Sequence, residues 1–242
     1  MSPIDRSAHL NAWRTKPLTE KTLLAFGMLT LALVLPPGPG APLVAIVMTL
    51  VTLRFARVDA GLWFACLAAP FGFLAFGAVS LTLRIDSHGI GLAPDALVAA
   101  AWVSARAVAG TTCLTFLALT TPTTDLVAGA RRLGAPQEIV EIALLIYRLL
   151  FILADAARTM DAAQAARLGH AGLRRKLTSL GVLIANLLPR ALDRARRLEI
   201  GLAARGWHGE MRVLNEVRPA SAGGLLGVCL IVATTAAAGL FL

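Results

Sequence analysis

"ASAGGLLGVCLIVATTAAAGLFL", residues 220–242, runs for 23 positions without a charged side chain. At 1.5 Å per residue a helix of that length covers about 34 Å, enough to cross a hydrocarbon core of about 30 Å. Read alone, the stretch predicts a membrane-spanning helix, and the rest of the chain agrees with it. The 242 residues are 57% hydrophobic and 15% charged, with a mean hydropathy of +0.72. That is more apolar surface than one soluble core can hide, so the chain reads as an integral membrane protein.

Four more apolar runs precede it. Thr22–Leu35 and Leu43–Leu53 are short against the roughly 20 residues that a span usually needs, so tilt, or extension by the snorkelling side chains of Lys21 and Arg54, has to make up the length. Pro36–Pro42 reads as the turn between them. Ala60–Leu83 is full length, with Pro70 and Gly72 placed to kink it. Leu92–Leu119 would be about 42 Å long if all helical, which exceeds the core and predicts that its first half lies in the interface. The first 20 residues are polar, and "PPGPG" follows the first run where a small-x-small cleavage site would stand, so this run reads as an uncleaved span rather than a signal peptide.

Charge orients the array. Residues 131–218 hold 15 of the 23 Lys and Arg against 8 Asp and Glu, and basic segments stay on the cytoplasmic side. The formal charge of +9 is therefore a topology signal rather than a nucleic-acid footprint. The expected layout is all-α, with about five transmembrane helices and a cytoplasmic domain of long amphipathic helices. It divides into residues 1–121 (tail and helices 1–4), 122–219 (cytoplasmic helices) and 220–242 (helix 5). The N-terminus and the basic block lie in the cytoplasm, the C-terminus outside.

Within the basic block the period is helical. Ile139, Ile142, Ala143, Ile146, Leu149, Leu150 and Leu153 form one stripe. Leu177, Leu180, Ile184 and Leu187 form a second, and Leu192, Ala195, Leu198 and Leu202 a third. Breaks fall at "GHAG", residues 169–172, and at Pro189, which a helix interior tolerates poorly. Pro189 leaves two geometries open: a reversal, which would stack two 16-residue arms and return Arg205 to the level of Arg167, or a kink, which would carry Arg205 far away.

Two short elements look alike, "AAQAARLGHAG" around Arg167 and "GLAARGWHGE" around Arg205. Each places Ala-Ala-Arg at the end of an amphipathic helix with glycine within two residues. Such helix ends are ordinary on their own, since arginine suits the C-terminal dipole and glycine the left-handed turn. Arg106, a charge within the fourth run, reads as a side chain near the outer interface, with small neighbours Ser104, Ala105, Ala109 and Gly110 that favour close helix packing. Cys66, Cys113 and Cys229 read as small buried hydrophobes. His9, His88, His170 and His208 are scattered, and none has a metal-ligand partner at suitable spacing.

The stretch "TTPTTDLVAGARRLGAPQEIVEIALLIYRLLFILADAARTMDAAQAARLG", followed by the second Ala-Arg-Gly, resembles the transmembrane T component of energy-coupling factor transporters. The N-terminal "IDRSAHLNAWRTKPLTEKTLLAF" is most similar to the cobalt-type branch, CbiQ. The resemblance implies that the two elements, Ala166, Arg167, Leu168 and Ala204, Arg205, Gly206, end coupling helices whose arginines dock in two ATP-binding-cassette ATPase subunits. The first element departs from the pattern, with Leu168 where glycine is usual. Pro189 then becomes a candidate coupling hinge.

The implied function is a bacterial inner-membrane scaffold that joins two ATPases to a substrate-binding membrane subunit, which the branch resemblance makes cobalt-specific. It implies no catalysis, cofactor or nucleic-acid partner. No G-x-x-x-x-G-K-[ST] is present to bind nucleotide. An orthodox ABC permease is the alternative, and "DAAQAARLG" resembles its coupling loop with glycine two places late. A polytopic membrane enzyme is a further one, resting on the sparse "RIDSH" with Asp86 and His88.

Overall fold

The computed structural model describes residues 3–36, 38–86, 89–92, 94–207 and 221–241. His88 and His208 lie outside the described residues. The regular elements are α1 (Pro3–Leu10), α2 (Leu18–Val34), α3 (Gly40–Leu50), α4 (Ala60–Thr82), β1 (Leu83–Asp86), β2 (Gly89–Leu92), α5 (Pro94–Thr120), α6 (Thr123–Ala130), α7 (Gln137–Ala166), α8 (Leu173–Ala203) and α9 (Ala222–Phe241). α3 passes directly into a π-helical turn, Val51–Phe55. The architecture is that of an all-α membrane protein. Ala60–Thr82, Leu97–Thr120 and Ala222–Leu240 are long and apolar enough to cross a bilayer, and Gly40–Phe55 is a shorter apolar helix.

Chain contacts divide the molecule into two units, Met1–Leu126 with Glu216–Leu242, and Val127–Asn215. In the first, α2, α3, α5 and α9 surround a core that includes Leu24, Met28, Val44, Met48 and Phe116, with Trp63 of α4 buried against it. Beyond Leu67, α4 turns large apolar side chains outward, Phe73 and Phe76 being about three-quarters exposed. That is the expected surface of a helix solvated by lipid. Small residues bring helices close, as the packing of Ser104, Ala105, Ala109 and Gly110 anticipates. Ala109 is fully buried, and a Cβ added at Gly110 would meet Leu29 at 3.3 Å.

Helix ends inside this unit are satisfied by charge of the appropriate sign. At one end, Lys21 Nζ donates to the Thr120 carbonyl at the C-terminus of α5 (3.0 Å), and Asn11 Nδ2 donates to the Leu119 and Thr120 carbonyls (3.2 and 3.3 Å). Arg14 pairs with Asp125 at 2.8 Å. At the other end of α2, Arg106 Nη2 donates to the Leu35 carbonyl at 2.7 Å, so this guanidinium caps a helix C-terminus. The start of α9 meets an anion. Ser221 donates through its N–H (3.3 Å) and its hydroxyl (3.2 Å) to Glu20 Oε1, and its hydroxyl oxygen accepts the Gly224 N–H (3.0 Å). A Cβ on Gly224 would overlap the Glu20 carboxylate, so a larger residue there would have to displace the buried Glu20 side chain.

Three expectations are corrected. Lys21 does not snorkel outward. It is 1% exposed, because the carbonyls ending α5 compete successfully with interfacial water for its ammonium. The turn between the first two runs is shorter than Pro36–Pro42, since Pro42 sits in the first turn of α3, where its missing N–H costs nothing. Leu92 is not helical; it ends an antiparallel hairpin that pairs Leu83 with Leu92 and Asp86 with Gly89.

The structure also decides the choice left open at Pro189. In the second unit, α8 continues through this residue as one helix of 31 residues, and the chain does not reverse there. Proline removes one hydrogen bond and crowds one carbonyl. Unbroken turns on both sides carry the helix across an exposed position. α7 and α8 are joined by the Arg167–Gly172 turn, and Leu183 is the buried residue of α8.

Candidate functional site

α7 ends in a defined hydrogen-bonded turn. The Leu168 N–H donates to the Ala165 carbonyl (3.0 Å) and the Gly169 N–H to the Gln164 carbonyl (2.9 Å). These are the two bonds of a Schellman motif, with Arg167 at the last half-helical position and Leu168 at the position that turns left-handed. Leu168 has φ +60°, a region that costs a side chain with a Cβ roughly 1–2 kcal/mol. Gly169 is needed for a different reason. A Cβ there would come within 2.6 Å of Ser179 Oγ and 2.8 Å of the Gln164 carbonyl oxygen. Ser179 Oγ closes the turn onto α8 by donating to the Gly169 carbonyl at 3.2 Å, and His170 lies 3.1 Å from Asp161.

α8 ends the same way. The Gly206 N–H donates to the Ala203 carbonyl (3.0 Å) and the Trp207 N–H to the Leu202 carbonyl (3.1 Å). Arg205 thereby occupies the place that Arg167 has in the first turn, and Gly206, at φ +67°, the place of Leu168. The two Ala-Arg elements therefore share one backbone geometry, and the substitution of leucine for glycine changes its cost rather than its shape. Ala166, Arg167, Leu168, Ala204, Arg205 and Gly206 are all exposed. Among the described residues neither arginine has an acidic partner.

The structure keeps the two turns apart. They flank α8, whose axis is about 45 Å long, with Pro189 between them. Around the first turn lies a concavity of about 650 Å³, lined in part by Arg167, Leu168, Arg174, Arg175 and Val182. Arg174, Arg175 and Lys176 stand in the first turn of α8, where the helix dipole disfavours cations. The three cations therefore leave this surface with a positive potential. Sequence reasoning missed Gln164 and Ser179, and Gln164 Oε1 is buried without a hydrogen-bond partner among the described residues. The only signal for them was that Gly169 follows a residue already able to end the helix.

Fold and site together define an all-helical membrane protein that carries a basic, amphipathic helical unit with two exposed arginine turns. The family profile for CbiQ, cobalt transport protein, matches residues 11–214, and the chain belongs to that family. It is 52% identical to the cobalt transport protein CbiQ of Rhodobacter capsulatus, over all of this chain and 99% of that protein. It is 28% identical to the CbiQ of Salmonella typhimurium, over 74% of this chain and 85% of that one. A putative fused cobalt transport protein CbiMQ of Methanocorpusculum labreanum is 32% identical over 59% of this chain and 26% of its own length. The chain is accordingly a membrane component of cobalt transport.

Proposed function

We propose that this chain is the scaffold and coupling subunit of an energy-coupling-factor importer for cobalt ions in the bacterial inner membrane, and that its two arginine turns each dock one ATP-binding-cassette ATPase. The observation that carries the reading is the repeated turn. Two exposed arginines without acidic partners among the described residues stand at one register of one helix-ending motif, at the two ends of α8. A guanidinium offers planar forked donors and a permanent charge, suited to carboxylates in a partly desolvated groove. The flanking alanines, Ala166 and Ala204, let a partner approach closely.

In this reading ATP is bound and hydrolysed by the partners, and the chain itself is not an enzyme. Closure of the ATPases moves the two ends of α8, with Pro189 as the point of flexure where a backbone hydrogen bond is missing. The motion reorients a separate substrate-binding membrane subunit. The fused CbiMQ relative, in which the aligned part is about a quarter of the protein, supports a second membrane chain working beside this one. In this reading the basic block and the N-terminus face the cytoplasm, which the charge distribution supports.

Charge reversal tests the docking. Arg167→Glu and Arg205→Glu should each weaken capture of the ATPases on co-purification, Arg205→Glu more, and the double variant should lose assembly. Loss of a buried charged contact of this kind costs about 2–5 kcal/mol. Full retention of both ATPases by the double variant would show that the arginines are helix caps only.

A further inference from the structure

A second concavity, of about 570 Å³, lies in the first unit between α1 and the turn that joins the π-helical segment to α4. Arg6 and Arg57 both line it, with Leu10 and Leu62. Arg57 has φ +53°, the left-handed region that a side chain with a Cβ occupies at a cost and glycine does not. Its neighbours impose that conformation. The Ala56 N–H donates to the Val51 carbonyl (2.9 Å), the Val58 N–H to the Thr52 carbonyl (3.2 Å), and the Ala56 carbonyl accepts the Ala12 N–H (3.0 Å). Ala56 and Val58 are buried on either side. The turn would keep its shape with glycine at residue 57, so the arginine there is not a requirement of the fold.

Strain of this sort collects where a side chain has work to do, yet none is visible for Arg57 among the described residues. Arg57 and Arg6 are both exposed and make no hydrogen bond or ion pair among the described residues. Asp59 also lines the concavity, but its Oδ2 accepts the Leu62 N–H at the start of α4 (2.9 Å). That bond turns the carboxylate toward the helix N-terminus, and among the described residues Asp59 forms no ion pair with either guanidinium. Apolar side chains line the concavity beside them: Leu10, 72% exposed, and the half-buried Leu62. The place is also specific, since the apolar helix Gly40–Phe55 ends here and the span Ala60–Thr82 begins, which is headgroup depth in a bilayer.

We propose that this concavity binds an anionic phospholipid, its phosphate held between Arg6 and Arg57 and its acyl chains lying against Leu10 and Leu62. The chemistry needs both parts. Two guanidiniums recognise a phosphate oxygen pair by forked hydrogen bonds, and a basic pocket beside membrane helices is suited to lipid headgroups. The exposed apolar rim selects a phosphate that carries a hydrocarbon tail over one free in solution.

The test uses the full-length subunit in a neutral detergent, with thermal unfolding followed on addition of phosphatidylglycerol, phosphatidylcholine or inorganic phosphate. Phosphatidylglycerol at saturation should raise the melting temperature by about 5 °C or more, with little effect of the other two. Arg57→Gly should melt at or above the wild type without lipid, because it relieves the left-handed strain, yet lose at least half of the lipid-induced shift. Arg57→Gly with Arg6→Ala should lose all of it, whereas Arg132→Ala, a surface change elsewhere, should keep it. The proposal is overturned by a full shift in the double variant, by no shift in the wild type, or by an equal shift with phosphatidylcholine. It is equally overturned if inorganic phosphate alone reproduces the shift.

Discussion

Replacing Leu168 in parallel with alanine and with glycine isolates the cost of the first arginine turn. Both changes remove the same side chain, which is 67% exposed, so the difference between them reports the backbone. At φ +60° alanine keeps the left-handed penalty of roughly 1–2 kcal/mol, while glycine escapes it but gains about 0.4–1 kcal/mol of unfolded-state freedom. Glycine should therefore exceed alanine by about 0.5–1 kcal/mol, or about 1–4 °C in melting temperature for a chain of this size. Ala204, in right-handed helical conformation at φ −63°, should show the opposite order, with Ala204→Gly losing up to about 1 kcal/mol. Gly206→Ala should destabilise the second turn by an amount similar to what Leu168→Gly recovers relative to Leu168→Ala. The measurement is thermal unfolding in detergent together with amide exchange at residues 168 and 169. If Leu168→Ala proved as stable as Leu168→Gly, the common geometry of the two turns would be refuted.

Two further outcomes follow from the packing. Gly224→Ala should destabilise the subunit by about 1–3 kcal/mol because its Cβ meets the Glu20 carboxylate. In a Glu20→Ala background the same change should cost at least 1 kcal/mol less, since residues in contact couple; equal costs in the two backgrounds would separate Glu20 from α9. Pro189→Ala should leave capture of the ATPases intact, but lower cobalt uptake per ATP hydrolysed in vesicles reconstituted with the complete transporter. Unchanged uptake at an unchanged ATPase rate would remove Pro189 from the coupling route.

Much of this architecture is legible in the sequence because its signals are local. Uncharged runs mark α4 and α9, and a 3.6-residue period marks α7 and α8. Arginine followed closely by glycine marks both helix ends. What was not legible depends on distant partners or on a choice between two local solutions. Lys21 at the head of an apolar run gives no hint that its ammonium turns inward to a carbonyl 99 residues away. Proline serves a sharp bend and a continuous helix with the same residue, and only the intact turns on both sides of Pro189 decide between them. Near Arg167 the rule that glycine takes the left-handed position points to Gly169. The structure puts Leu168 in that position and reserves Gly169 for the close approach of Ser179 and the Gln164 carbonyl.

The central claim is that the two arginine turns reach two ATPases at once. A photo-reactive residue introduced at Ala166, at Ala204, or at both, in the intact complex, tests it directly, because each position stands beside its arginine and is exposed. Each single replacement should give a cross-link to one ATPase, and the double replacement a product that contains this chain with two. Cross-links from both positions that never exceed one ATPase per chain, or none from either, would contradict the account.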